Sequence, residues 1–274
     1  MKPSPNRPLR VGFIGLGDQG GPMAMALLRA GYELHVWARR AEVAARFGAQ
    51  GAQPAASAAE LAGRVDMLCL CVRSDEDLRS VCFAEGAVAA MAPGTILAIH
   101  STVTPQTCIE VAEAAGKRSV AAIDAPVSGG GRAAEEGRLL VMAGGEASDI
   151  ERARPVFGAF ADSIVPVGGV GAGQQAKMLN NLLFVANLGA ALEARRLGAA
   201  LGLTADALDA VMLRGSGRSA ALEGVARGGL AARAPHVGPV LQKDLDLVGR
   251  AFPGGDADEI LQWARAALVR LQSV

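Results

Sequence analysis

From Leu9 to about Val165, short apolar runs rich in β-branched residues alternate with alanine-rich stretches whose apolar positions recur every three or four residues. The first kind of run predicts strands and the second amphipathic helices, and their regular alternation is the pattern of βαβ units in a mostly parallel sheet. Predicted strands are Arg10–Ile14, Glu33–Trp37, Met67–Val72, Ile96–Ile99, Ala121–Ile123, Leu139–Ala143 and Ser163–Val165. After the glycines Gly168, Gly169, Gly171 and Gly173 the pattern changes, and only long helical periodicities follow. The first of them, Gln174 to about Leu201, would span roughly 40 Å as a helix and is read as a spine joining two domains. Gly215-Ser216-Gly217 and Pro253-Gly254-Gly255 break the later helices, the last of which is predicted over Ala257–Leu271. The expected organisation is α/β: a sheet domain over residues 1–166, then an all-α domain over 167–274. There is no internal repeat and no charge block.

The chain has 274 residues, 51% of them apolar, enough for buried cores. Lys plus Arg and Asp plus Glu both number 27, so no excess charge points to nucleic acid or an anionic membrane. No apolar run approaches the roughly 20 residues of a membrane span. Met1–Arg10 holds three prolines and three basic residues without an apolar stretch, so it reads as a loose leader, and a cytoplasmic location is the default expectation. Cys69, Cys71, Cys82 and Cys108 form no CxxC pair and have no histidine at metal-ligand spacing, so free thiols and no metal are expected. Cys69 and Cys71, two apart in one apolar run, are expected on one buried strand face.

Val11-Gly12-Phe13-Ile14 runs directly into Gly15-Leu16-Gly17-Asp18-Gln19-Gly20, and the helical positions Met23, Leu27 and Ala30 follow. Strand, G-x-G-x-x-G and helix in that order form a dinucleotide-binding fingerprint of the Rossmann type. The first glycine permits the turn, the second lets the backbone approach a pyrophosphate, and the third lets the helix pack on its strand. Asp or Glu at the end of the second strand would bind the ribose hydroxyls of NAD, but here Ala38, Arg39 and Arg40 follow Trp37. Arginine there suits a 2′-phosphate, so NADP is expected over NAD; two arginines on a solvated loop are the plainer alternative.

Three further segments complete a set. Together with Gly12-Phe13-Ile14-Gly15-Leu16-Gly17, they are Asp124-Ala125-Pro126-Val127-Ser128-Gly129-Gly130, Gly171-x-Gly173 with Lys177 and Asn181, and Lys243-Asp244-Leu245. On these motifs the chain resembles the β-hydroxyacid dehydrogenases, a family that includes 3-hydroxyisobutyrate dehydrogenase, tartronate semialdehyde reductase and the glyoxylate and succinic semialdehyde reductases. The resemblance implies a substrate carboxylate bound by Ser128, Gly129 and Gly130, which suits a serine hydroxyl and exposed glycine N–H groups, although the same composition makes a turn. It also implies cofactor contacts from the glycine loop, Cys71, Val72, Arg73, Ser101, Thr102 and Lys243, and assembly as a homodimer or homotetramer. Ser101-Thr102 can equally form a turn before Pro105, and Asp244 can simply cap a helix.

Lys177 and Asn181 are four apart on a predicted helix and share one face. Hydride addition to a carbonyl builds negative charge on oxygen, which calls for a proton donor and a polar neighbour. Lys177 fits the donor, and burial beside a cationic nicotinamide would disfavour its ammonium form. Asn181, donor and acceptor in one amide, would orient substrate. The apolar Leu179, Leu182, Leu183 and Ala186 predict that this helix is largely buried.

Asp18-Gln19 stands where the family often has a small or polar residue and methionine, and Val72-Arg73 replaces the usual Leu-Pro. The chain is also compact for the family, so part of the C-terminal segment is expected to be short. His100, just before Ser101, could touch substrate or be structural; His35 in a strand and His236 in a Pro-rich loop carry no chemistry. The expected activity is an NADP-dependent, metal-free hydride transfer on a small carboxylate-bearing alcohol or carbonyl. Imine reduction on the same fold is the second reading, weakened by Lys177; a 6-phosphogluconate dehydrogenase would need a longer helical domain. A third reading, from a different class, is an NADP-sensing module without turnover.

Overall fold

The computed structural model describes residues 9–228 and 234–272. Most of the leader expected at Met1–Arg10 therefore lies outside the described residues, while Arg10 belongs to the first strand, its guanidinium 2.8 Å from Asp66. The fold divides into two compact units, one ending at Lys177 and the other starting at Met178.

Among the described residues, the first unit holds nine strands: β1 (Arg10–Ile14), β2 (Glu33–Trp37), β3 (Gln53–Pro54), β4 (Met67–Leu70), β5 (Ile96–Ile99), β6 (Ala121–Asp124), β7 (Val127–Ser128), β8 (Leu139–Gly144) and β9 (Ala161–Gly168). Between them run α1 (Gly20–Arg29), α2 (Ala41–Gly48), α3 (Ala58–Arg64), α4 (Asp75–Arg79), α5 (Ala87–Ala90), α6 (Pro105–Gly116), α7 (Gly130–Glu135) and α8 (Ala147–Phe157). The strand order is β3-β2-β1-β4-β5-β6-β8-β7, with β9 on β8. From β3 to β6 all pairs are parallel; β8 then pairs antiparallel with β6 and β7, and parallel with β9. This is the Rossmann order, whose ligand crevice opens at the carboxyl ends of β1 and β4.

The continuous apolar runs follow from burial on both sheet faces. Every residue of β4 and β5 is buried, and alternate residues feed opposite cores: Phe13, Cys69 and Ala98 pack on one face, Ile14, Leu68 and Leu97 on the other. The strand expected over Met67–Val72 ends at Leu70, because the Val72 N–H bonds the Ser101 hydroxyl and leaves the ladder. Cys71 therefore lies just beyond the strand and is half-buried, so the expectation of two buried strand cysteines holds for Cys69 alone, although both pack on the same face of the sheet. None of the four cysteines is in a disulfide. Strands β3 and β7, two residues each, are too short to produce a periodicity.

A 29-residue helix, α9 (Ala172–Ala200), starts in the first unit and continues into the second. The second unit adds α10 (Ala205–Met212), α11 (Ala220–Ala226), α12 (Ala234–Ala251) and α13 (Asp258–Gln272), and no described residue after Gly168 is in a strand. Its core gathers Leu182, Val185 and Leu188 of α9 with Leu245 and Val248 of α12 and Leu261, Ala264 and Leu268 of α13. His236, expected in a loop, lies in the first turn of α12. Pro235 is tolerated there because the first helical N–H groups need no internal partner. Leu179 and Leu183, expected to be buried, are 53% and 57% exposed. The 3.6-residue period turns them away from the face that carries Leu182 and Val185. Among the described residues, no helix is long and apolar enough to cross a membrane.

Candidate functional site

β1 delivers the chain to Gly15, whose φ of +98° belongs to a region that L side chains rarely adopt, and a Cβ there would stand 2.1 Å from the Cys71 carbonyl oxygen. A Cβ on Gly20 would stand 2.0 Å from the Gly15 carbonyl oxygen, so α1 rests directly on the turn. Gly17 is different: nothing lies within 4 Å of its would-be Cβ. The open side of Gly17 is where a diphosphate can reach the backbone, at the N-terminus of α1. Gln19 precedes that helix without capping it, and its buried Nε2 has no hydrogen-bond partner among the described residues. An unsatisfied buried donor beside free helical N–H groups fits an anionic ligand. Leu16 packs against the core beneath the loop and Asp18 is exposed. A Cβ on Gly131 would meet the Asp18 carbonyl oxygen at 2.6 Å, so the segment after Ser128, Gly129 and Gly130 lies against the glycine loop. Ser128 ends β7, half-buried, and Gly130 opens α7.

At the end of β2, Ala38 is followed by Arg39 and Arg40. Arg39 donates to Asp77 Oδ1 at 2.6 Å and stands 3.6 Å from Glu85 Oε1. Burial works against the Asp77 charge, but Arg39 holds this carboxyl below its usual range. Arg40 lies 3.7 Å from Glu42 and is three-quarters exposed. A cavity of about 430 Å³ is bounded by Trp37, Arg39, Ser57 and Glu85, and Glu85 Oε2 is buried without a partner among the described residues.

The turns after β4 and β5 are tied together: the Ser101 hydroxyl accepts from Val72 N at 2.8 Å, and Cys71 N bonds Ile14 O. Ser101 is buried, Thr102 half-buried and Arg73 exposed. Thr104, not Ser101 or Thr102, caps α6, with Asp75 accepting from its backbone and hydroxyl.

The start of α9 is fastened to this edge of the sheet by two buried polar residues that the sequence reading gave no role. Asp124, the last residue of β6, accepts from Gly171 N and Gln174 N at 2.7 Å each. Burial raises its carboxyl to about 6, against the pull of these N–H groups. The Gln174 side chain donates to Ser101 O at 2.9 Å and accepts from Val103 N at 3.1 Å. Lys177 follows one turn later and is 8% exposed. A polar residue closing an apolar strand and a glutamine directly after paired glycines were the available signals, without partners to name.

In the second unit, Asn181 is buried and donates to Asp244 Oδ2 at 2.6 Å. Asp244 sits within α12, so it is a partner of Asn181 and not a cap. Lys243 Nζ lies 3.8 Å from Asp244 Oδ1.

His100 is enclosed by Phe13, Phe157 and Phe160, with ring centroids 5.4 to 6.3 Å away, and its Nδ1 bonds Ala125 O at 2.8 Å. Burial lowers it to about 4, so it is neutral and structural at neutral pH. His35 Nε2 lies 3.0 Å from Glu33 Oε1. Among the described residues, no group of three His, Cys, Asp or Glu could hold a metal ion.

Residues 10–169 match the family described as the NAD binding domain of 6-phosphogluconate dehydrogenase, and residues 171–259 that described as the NAD-binding domain of NADP-dependent 3-hydroxyisobutyrate dehydrogenase. The chain is 39% identical to the NAD-dependent L-serine dehydrogenase of Pseudomonas aeruginosa over 215 residues, 78% of this chain and 72% of that protein. It is 36% identical to the 3-hydroxyisobutyrate dehydrogenase of the same organism over 213 residues, 77% of this chain and 72% of that one. The solved structure of Mycobacterium tuberculosis 3-hydroxyisobutyrate dehydrogenase with L-serine superposes with a TM-score of 0.85 at 27% identity, covering 97% of this chain and 94% of that one. With the glycine loop, the Rossmann strand order and the Lys177-bearing helix in their expected sequence, the chain belongs to the β-hydroxyacid dehydrogenase family of NAD(P)-dependent oxidoreductases.

Proposed function

We propose that the protein transfers a hydride between NADP and a small β-hydroxy acid or the corresponding semialdehyde, with Lys177 as general acid and base. The observation that carries this reading is a lysine only 8% exposed on α9, one turn beyond a residue bonded to the loop after β5. A buried ammonium is costly, and a cost of this kind marks functional candidates.

When bound, the nicotinamide supplies or accepts the hydride. The glycine loop Gly15–Gly20 would hold its diphosphate, and Arg39 and Arg40 the 2′-phosphate that distinguishes NADP. No carboxylate stands at positions 38–40 to repel that phosphate. Ser128, Gly129 and Gly130 would hold the substrate carboxylate, and Asn181 would orient the reacting carbonyl or hydroxyl. As charge builds on the carbonyl oxygen, Lys177 Nζ donates a proton to it; in the oxidative direction the neutral amine takes the hydroxyl proton. L-serine and 3-hydroxyisobutyrate, named for two relatives, both combine a carboxylate with a β-hydroxyl, which is the substrate class this arrangement suits.

We also propose a homodimer or homotetramer, since Leu179 and Leu183 form an exposed apolar stripe on α9; light scattering tests it. For the activity, purified protein is assayed with NADPH and with NADH against glyoxylate, succinic semialdehyde and tartronate semialdehyde, and in reverse against L-serine and 3-hydroxyisobutyrate. Turnover of one of these with NADPH preferred supports the reading. Turnover of cyclic imines alone, or tight NADPH binding without any turnover, replaces it with imine reduction or cofactor sensing.

A further inference from the structure

Gln174 is completely buried, and both ends of its side-chain amide are used on backbone groups. Nε2 donates to Ser101 O at 2.9 Å and Oε1 accepts from Val103 N at 3.1 Å, so the amide stands in for a strand residue beside the loop that leaves β5. The Gln174 backbone N–H is committed as well, to Asp124 Oδ2 at 2.7 Å. One residue thus joins the first turn of α9 to the ends of two neighbouring strands. A Cβ on Gly173 would meet the Asp124 and Met142 carbonyl oxygens at 2.6 Å, which leaves that turn little room to slide. Ser101, one of the groups gripped, in turn holds Val72 N. Lys177 lies three residues along the helix, on the face that Gln174 presents to the loop.

We propose that Gln174 is a positioning residue: its buried amide locks the first turn of α9 onto the Ser101–Val103 loop and thereby sets where the Lys177 amine stands. A leucine of similar volume would fill the space but leave the Ser101 carbonyl and the Val103 N–H unpaired, and the turn would re-seat to find partners for them. The inference rests on the proposed role of Lys177, but its test does not require turnover.

The chain has four lysines, Lys2, Lys117, Lys177 and Lys243, so each can be followed by peptide mass spectrometry after competitive acetylation with acetic anhydride across pH. In Gln174→Leu, the midpoint of Lys177 labelling is expected to move by at least half a pH unit, while Lys117, exposed on the far end of α6, keeps its own. With the best substrate, kcat is expected to fall at least tenfold with the NADPH Kd changed less than twofold. If Gln174→Leu does not fold, Gln174→Glu, which keeps an acceptor for Val103 N, gives the same readings. An unchanged Lys177 midpoint in a folded variant overturns the proposal, whatever happens to the melting temperature. So does a kcat loss equal in the native and Lys177→Ala backgrounds, because a residue acting through Lys177 has nothing left to act on there. Full activity of Lys177→Ala, by contrast, removes the catalytic reading of the lysine and leaves the labelling result to decide the positioning on its own.

Discussion

The Arg39 guanidinium donates a 2.6 Å hydrogen bond to the Asp77 carboxylate, so one of the two arginines proposed for a 2′-phosphate is already held by an anion. Glu85 stands 3.6 Å away on the other side. A phosphate must compete with both carboxylates for Arg39, and Arg40 is the less engaged of the two cations.

Asp77→Asn and Glu85→Gln are therefore expected to tighten NADPH binding several-fold and to leave NADH nearly unchanged. An exposed ion pair has a net worth of only about 0–1 kcal/mol, so each effect is modest and shrinks with added salt. Arg39→Ala should weaken NADPH selectively. Titration of protein fluorescence with each cofactor measures all three; equal effects on NADH and NADPH would remove the 2′-phosphate from this corner.

The glycine loop separates folding from binding. Gly17→Ala places its methyl in open space, so the melting temperature should hardly change while NADPH affinity falls at least tenfold. Gly20→Ala drives a methyl into the Gly15 carbonyl and should cost stability itself, about 1–3 kcal/mol by the usual cost of overpacking. Thermal melts and cofactor titrations of the two variants check this; a Gly17→Ala protein that binds normally would place the diphosphate elsewhere.

His100 is expected to contribute to acid sensitivity and not to catalysis. Its folded value, about 4, lies below the ordinary 6.5. The stability it provides is present above pH 6.5 and is lost as pH falls towards 4. His100→Phe should lower stability at pH 7 by about 1–3 kcal/mol, since the Ala125 carbonyl loses its donor. The same variant should show a flatter decline between pH 6.5 and 4 and an unchanged pH dependence of kcat. Urea melts across that range, with kcat profiles beside them, are the check; a displaced kcat profile would give His100 a role in the chemistry.

Asp124 has the opposite sign. Burial raises its folded value to about 6 from 3.8, so its contribution to stability falls as pH rises from about 4 through 6 and is level above that. Asp124→Asn removes this slope and turns an amide donor towards either Gly171 N or Gln174 N. The variant is expected to be less stable than the native protein throughout, with the gap widest near pH 4 and narrowing towards pH 7. A gap that widens with pH would mean that the N–H groups outweigh burial and keep the carboxylate ionised.

The parts of the fold that could be read in the sequence are those whose cause is local. The β1 turn, the glycine loop and α1 are written within 20 residues, and the four-residue spacing of Lys177 and Asn181 carries their shared helix face. Asp124 and Gln174 escaped because their meaning lies in partners 47 and 73 residues away. Arg39 drew attention as a cation, but its two carboxylate partners arrive from α4 and from beyond it, and no periodicity points to them. Apolar character alone suggested buried Leu179 and Leu183, whereas the helical phase set by the neighbouring core decides which leucines turn inward. Proline near His236 read as loop because the tolerance of a helix for proline in its first turn depends on where the helix starts.

The most direct test of the account is the rate of Lys177→Ala with the best substrate and NADPH, set beside its NADPH affinity and its melting temperature. Loss of a positioned general acid should lower kcat by about 10²–10⁴-fold, while cofactor binding and stability stay near those of the native protein. A variant that binds NADPH and turns over at the native rate would contradict the proposed chemistry and leave α9 a structural element alone.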